Sequence, residues 1–365
     1  MKNKILFIAF LLLVFSCGND DSDEAISISE VTVEEGRLMQ VSDLYDFQIK
    51  VNQSAHLEVL GSLVSASLDF SANPAEVELL ALQKAWKASF LNWKSNEVFN
   101  LGAIQNSFIH TRINQWPTNF EAIEDNILEE ETLNNAFVSS TGANTKGYSA
   151  IEYLLFHDSA ELVLAELTTD VNAEKRMQYL LALIENLNEQ STALQIFWGE
   201  VEPSFKSNLE TGVNGSQNQV VNAIIAALES MKGTKIEEAL NAESDGVTYF
   251  EAYRSEISKE ALIENLETLN NSYLGDYIGE EGFGLDDYLK EVLDRPDIDT
   301  AIQEAFQVAL DDLYTINGSI EDVLVTDVNA LDNLRTDLQT VIGLLKTDFS
   351  SAANIVVTFN DTDGD

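Results

Sequence analysis

Apolar residues recur along this chain at helical spacing, segment after segment, and that periodicity constrains the fold more than any other feature. Leu79, Leu82, Trp86 and Trp93 make one stripe, and Leu180, Leu183, Ile184, Leu187 and Leu194 make another. Val220, Val221, Ile224, Ile225, Leu228 and Met231 follow, then Leu262, Ile263, Leu266, Leu269 and Tyr273, then Leu331, Leu334, Leu338, Val341 and Leu345. Steps of three, four and seven put each set on one helix face, which must be buried against a neighbour. Only four Pro interrupt the chain, and strand-like alternation is confined to Ile355-Val356-Val357-Thr358-Phe359. The pattern predicts an all-α fold with helices long enough for bundles. Asn73-Pro74-Ala75-Glu76 predicts a helix start, with Asn73 as N-cap and Pro74 at the first helical position. Ser258 is expected to cap the helix that carries Leu262.

A chain of 365 residues exceeds what one core usually organises, so two domains are expected. Gly, Ser and Asn collect at Ser139–Asn144, at Gly212-Val213-Asn214-Gly215 and between Gly275 and Gly284. Gly199 and Pro203 are expected to end the helix containing Phe197 and Trp198. The boundary is therefore set near residue 200, giving one helical bundle over 34–200 and a second over 201–365.

The first residues read as an export signal. Lys2 and Lys4 precede an apolar run from Ile5 to Phe15 that is too short to span a bilayer, followed by Ser16-Cys17-Gly18. Val14-Phe15-Ser16-Cys17 resembles a bacterial lipobox, in which the Cys is lipidated and becomes the mature N-terminus. Residues 1–17 are thus read as a lipoprotein signal with its lipobox Cys, and 18–33 as an acidic flexible tether. The lipid on Cys17 is the expected membrane contact, placing the protein in the cell envelope, on the outer membrane, facing the periplasm or the cell surface.

Charge then excludes whole classes. With 62 acidic against 20 basic side chains, a net −42, the chain lacks the basic field that nucleic acids or anionic head groups require. A single Cys excludes an internal disulfide framework and any Cys-based zinc site. No nucleotide-binding Gly-rich loop, Gly-x-Ser-x-Gly elbow or Cys/His nucleophile pair is present.

The segment Lys146-Gly147-Tyr148-Ser149-Ala150-Ile151-Glu152-Tyr153-Leu154-Leu155-Phe156 carries the clearest signature. It resembles the Gly-x-His-x-x-Glu motif of the imelysin (insulin-cleaving membrane protease) family, running into an apolar helix. Ala85-Trp86 with Trp93, Ser95, Glu97, Val98 and Phe99, then Leu101-Gly102, resembles that family's Trp-bearing helix and Ser-x-Glu-x-Phe stretch. Ile113-Asn114-Gln115-Trp116-Pro117, Arg254-Ser255 to Ser258, Tyr273-Leu274-Gly275 and the acidic end Asp361–Asp365 match in order, across nearly the whole mature chain. The resemblance implies two bundle-like domains with a site at their interface, export to the envelope, and an association with iron acquisition.

At the decisive position the sequence departs from the motif. Ser149 occupies the His place, three residues before Glu152, and none of His56, His110 and His157 has a Glu three residues later. An imidazole and a carboxylate three apart can ligate one metal, whereas a serine hydroxyl stays protonated and ligates poorly. Phe90 stands where the family pattern leads one to expect an Arg, four residues after Trp86. Peptidase chemistry is therefore not expected. One reading of Gly147, Tyr148, Ser149, Glu152 and Glu97 is a remodelled polar pocket for a small ligand or for a divalent cation or iron, with Glu152 as the metal-facing carboxylate. The other is a degenerate site, in which Ser149 helps cap its helix and Glu152 and Glu97 are ordinary helix carboxylates. Trp86, Trp93 and Trp116 are expected in the core. Asp361-Thr362-Asp363-Gly364-Asp365 stops short of a complete calcium loop and is read as a structural tail.

The functional expectation is a lipid-anchored, non-catalytic binding protein of the cell envelope, linked to metal, iron or haem uptake. The alternatives are a surface module that meets a protein partner through its acidic face, with a vestigial site, and a metallopeptidase.

Overall fold

The computed structural model describes residues 31–358 except residue 278. The lipobox Cys17, most of the expected tether and the acidic end from Phe359 to Asp365 lie outside the described residues. Thr32 and Glu35 form a reciprocal capping box that starts the first helix, Val33–Asp43. A π-type turn over Leu44–Ile49 leads directly into Lys50–Ala72, which forms an antiparallel hairpin with Glu76–Glu97. The long helix Ala173–Ser207 and the short buried helix Gly147–Phe156 complete this half. The second half is built from Ser216–Lys232, Ser258–Leu274, Pro296–Thr315 and Val328–Leu344.

The expected stripes are buried as read: Leu79, Leu82 and Trp86 in the first half, and Leu331, Leu334 and Leu338 in the second, are all at most 1% exposed. The buried apolar side chains make one contiguous cluster from Val41 to Ala353, running through both halves. Several helix contacts join the halves. Helix Ser258–Leu274 packs on Glu76–Glu97, and helix Val33–Asp43 touches both Ala173–Ser207 and Ser216–Lys232. Arg37 donates to Gln217 Oε1 at 3.3 Å and to the Leu209 carbonyl at 3.2 Å, fastening the first helix across the junction.

Several local expectations are corrected. Helix Ala173–Ser207 does not end at Gly199 or Pro203, but continues to Ser207. Pro203 forfeits one backbone bond, yet the turns around it are held by packing: Trp198 and Phe205 lie 6.1 and 6.5 Å from the Tyr45 ring. Lys206 adds an ion pair to Asp46 at 2.7 Å. The next helix begins only at Ser216, after the connection from Asn208 to Gly215. Asn73 is the C-cap of Lys50–Ala72 rather than the N-cap of the next helix, which starts at Glu76 behind Ala75. Ser258 is the first helical residue, behind Ile257, and its hydroxyl bonds Glu321.

Residues 355–358 are extended but join no sheet; among the described residues the only strands are the hairpin pair Asp276–Tyr277 and Glu280–Glu281. Two amide side chains replace a partner strand. Asn218 accepts from Val356 N–H at 2.7 Å and donates back to its carbonyl at 3.1 Å, and Asn222 accepts from Thr358 N–H at 2.7 Å. No helix among the described residues is long and apolar enough to cross a membrane.

Candidate functional site

Gly147 fixes where the motif helix begins. Its φ is +73°, and a Cβ there would stand 2.2 Å from the Ile113 carbonyl oxygen, so only glycine permits the approach. The close contact brings Ser149 and Glu152, one turn apart, beside the chain that leaves helix Ile109–Ile113. Tyr148 points the other way. It is wholly buried, its hydroxyl bonds Ser89, and its ring lies 5.6 Å from Phe90 and 6.2 Å from Trp86. Burial raises its pKa far above the usual phenol value. Its task is packing.

Ser149 is the third residue of its helix and caps nothing; its hydroxyl donates to Asn114 Oδ1 at 2.8 Å. The Asn114 amide donates in turn to Glu251 Oε1 at 2.6 Å. From Glu251 the seam becomes ionic. Lys94 and Lys235 lie 2.6 and 3.1 Å from Glu251 Oε2, and both also pair with Glu97. Asn265 completes the set, accepting from Lys235 at 2.8 Å and donating to the Lys94 carbonyl at 2.8 Å. Two ammoniums and two carboxylates thus cancel in a space where Lys94 is 0% exposed. Burial alone would raise the Glu97 pKa, but Lys235 and Lys94 hold it well below the ordinary carboxylate range. Burial pulls Lys94 down, while Glu251 and Glu97 oppose that shift.

Glu152 has different company. One oxygen accepts both the Ser255 N–H at 2.9 Å and the Ser255 hydroxyl at 2.8 Å. Burial pushes its pKa up to about 7; the Ser255 bonds and Arg254 pull back, and Glu251 adds to the rise. The Ser255 loop includes Ala252 at φ 62° and Glu256 at φ 56°, left-handed conformations that non-glycine residues adopt at a cost. Glu152 clamps this loop from the motif helix.

Beside the ionic seam lies a cavity of about 340 Å³, with Trp93, Glu97, His110, Asn114, Lys235 and Asn265 in its wall. Of the residues expected from sequence, Glu97 lines it, Ser149 reaches it through Asn114, and Gly147, Tyr148 and Glu152 are not part of its wall. The three His go to separate places. His110 enters the cavity beside Trp93, their rings 5.1 Å apart, and burial lowers its pKa to about 4 against the opposing pull of Glu97. His56 is buried near Ser191, and His157 pairs with Glu166 at 3.0 Å. Phe90 stacks on Trp86, and the cation expected there comes instead from Lys94, whose amine sits 4.7 Å above the Phe90 ring. Trp86 and Trp93 are core residues as expected, whereas Trp116 is half-buried edge-on to Tyr253.

Sequence reasoning missed Lys94, His110, Lys235, Glu251 and Asn265. Lys94 sits one residue beyond the Trp93 of a matched stretch, and only that adjacency hinted at it. Asn114 and Ser255 lay inside the matched runs, but their type gave no chemical signal. Among the described residues no three His, Cys, Asp or Glu side chains gather closely enough to hold a metal ion.

Fold and site together define an all-α protein whose two halves meet around a buried polar seam. The imelysin family profile matches residues 55–343, and the chain belongs to that family. Two crystal structures share the fold. One is a protein from Parabacteroides distasonis assigned as an iron-regulated protein A precursor, with a TM-score of 0.72, 18% identity, and coverage of 88% of this chain and 97% of that one. The other is an imelysin-like protein from Psychrobacter arcticum, with a TM-score of 0.72, 17% identity, and coverage of 92% and 100%. No match emerges among curated proteins.

Proposed function

We propose that this protein is a non-catalytic binding member of the imelysin family, held in the cell envelope by a lipid on Cys17 and serving iron or other metal uptake. The carrying observation is the fate of the motif. Ser149 stands in the His position and donates a hydrogen bond to Asn114, while Glu97 and Glu251 are each engaged by two lysines. A carboxylate so engaged must shed an ammonium before it can take a metal, and a metallopeptidase needs an open metal position that activates water. The export signal and lipobox in the sequence support the envelope address. The designation of the Parabacteroides neighbour as an iron-regulated precursor supports the link to iron.

Titration calorimetry with Fe²⁺, Fe³⁺, Zn²⁺, Ca²⁺ and haem, together with a small-solute panel, tests the binding role. The reading expects saturable binding of a ligand and no cleavage of a protein substrate. Chelator-sensitive proteolysis that disappears in Glu152→Ala would sink it. For the anchor, Cys17→Ala is expected to move the protein from the membrane fraction to the soluble fraction; unchanged membrane association refutes lipidation.

A further inference from the structure

The cavity beside the ionic seam has a chemical character of its own. At about 340 Å³ it lies at the small end of ligand sites, which run from about 300 to 1,000 Å³. Its charged wall groups are already spent. Lys235 directs its ammonium at Glu97, Glu251 and Asn265, and Glu97 is shared between Lys235 and Lys94. With equal numbers of opposite charges, the seam offers neither an ion-attracting field nor a free carboxylate.

The groups left over are uncharged. One ring nitrogen of His110 is turned to the Glu97 backbone, while its other nitrogen, Nε1 of Trp93 and Oδ1 of Asn100 are buried without a hydrogen-bond partner in the protein. His110 and Trp93 are 6% and 1% exposed, and both, with Asn100, line the cavity wall. With one imidazole N–H given to the Glu97 backbone, the other nitrogen is an acceptor, the indole is a donor, and the amide oxygen is an acceptor. The hydroxyls of Ser230 and Thr234 add to the rim, and Ala226 and Ala227 keep the facing helix flat. Leaving such groups unmet costs about 1–3 kcal/mol each. An occupant must therefore donate and accept on several sides while carrying no net charge, and hydroxyl groups do both.

Building on the reading that the protein binds a small ligand, we infer that this cavity is a site for a small uncharged polyhydroxyl compound, a monosaccharide or cyclic polyol, held by His110, Trp93 and Asn100. The ionic seam behind it sets the positions of the wall and does not contact the ligand as a charge partner. A charged analogue loses on entry, because an ion brought into a buried site without a free counter-charge gives up its hydration.

The test uses the mature full-length protein and calorimetric titration with D-glucose, D-galactose, N-acetyl-D-glucosamine and myo-inositol. D-glucuronate and D-glucosamine serve as charged counterparts, and Fe³⁺, Zn²⁺ and haem as the competing class. At least one neutral compound is expected to bind saturably, with its charged counterpart weaker by about tenfold or more. His110→Phe keeps the ring and removes both nitrogens, and Ala226→Leu fills the cavity from the opposite wall. Each is expected to weaken binding by about tenfold or more while helical circular dichroism and melting stay near wild type. Equal or tighter binding of the charged compounds overturns the inference, as does neutral binding untouched by both variants. Binding of metal or haem with no neutral ligand overturns the inference and leaves the binding role standing. No binding by any probe overturns both.

Discussion

Glu152 lies one turn from Ser149 on the motif helix, and a polar chain runs from Ser149 through Asn114, Glu251 and Lys94 to Glu97. At the Glu152 end the partners are a hydroxyl and a backbone amide, and the carboxyl group is pushed up to about 7. At the Glu97 end the partners are two ammoniums, and the carboxyl is held well below its usual range even though it is the inner wall of a cavity. Burial opposes ionisation at both ends; what differs is whether a full positive charge is within contact distance. The lesson is that two buried glutamates of one chain can be shifted in opposite directions by the company they keep. The end with neutral partners is the one that responds to pH near neutrality, and the other responds only in acid.

The largest effect is expected from breaking the ionic end. Lys94→Ala leaves Glu251 and Glu97 sharing one cation in a buried space, and such a removal typically costs about 3–5 kcal/mol. Urea denaturation measures it, and a loss below about 1 kcal/mol, the worth of a surface pair, would erase the contrast between the ends. Next comes pH. Glu152 has a folded-state pKa of about 7 against an ordinary 4.5, so the folded protein holds that proton more tightly than the unfolded chain. Its contribution is complete below the ordinary value and is lost as pH rises through about 7, on the order of 3 kcal/mol in all. Glu97 has the opposite sign: its contribution is present above the ordinary carboxylate pKa and disappears as acid titrates it. Asp286 and Asp337 are also pushed up to about 6, so the quantity to measure is the difference in stability between wild type and Glu152→Gln from pH 5 to 8. A flat difference refutes a buried, protonated Glu152.

Smaller changes sharpen the comparison. Ser149→Ala removes the donor to Asn114 and is expected to cost about 1 kcal/mol. Ser149→His restores the family residue, yet zinc titration is expected to show no saturable site, because the lysines still hold Glu97 and Glu251; tight zinc binding would show that the serine alone had silenced the motif. The smallest effect belongs to Ser255→Ala, which removes one of two donors to Glu152. It is expected to move the midpoint of the stability–pH curve slightly upward, and a downward shift would mean that the hydroxyl favours the neutral carboxyl.

The architecture was largely legible from sequence because apolar periodicity reports directly on helix faces: every stripe from Leu79 to Leu345 proved to be core. Helix ends were less legible. Pro203 read as a stop because local propensity disfavours it, and the aromatic packing of Trp198 and Phe205 on Tyr45 outweighed that preference. Asn73 looked like a cap because its side chain suits that role, but the turn between antiparallel helices used it to end one helix rather than to begin the next. The motif located the site through Gly147, Ser149 and Glu152, since a short pattern can carry a backbone constraint and a helix face. It could not disclose Lys94 or Lys235. A lysine on an amphipathic helix is by default a solvated group, and its burial here depends on Glu251, more than 150 residues after Lys94 in the same chain. His110 was considered only as a missing motif member, so its place in the cavity wall went unread.

The ionic set also bears on how the molecule comes apart. Lys94 and Glu97 belong to one half of the chain, Lys235 and Glu251 to the other, and Lys94 is sealed from solvent only where the halves meet. Separating the halves would keep the pairs Lys94–Glu97 and Lys235–Glu251 and break the cross pairs Lys94–Glu251 and Lys235–Glu97, so a species with one half folded and the other melted loses two of the four pairs. Heating or denaturant should therefore register a single cooperative transition, seen together by Trp86 and Trp93 fluorescence in the first half and by hydrogen exchange at helix Ser258–Leu274 in the second. The buried lysine works in this sense as a coupling pin between the earlier and later helices of one continuous core.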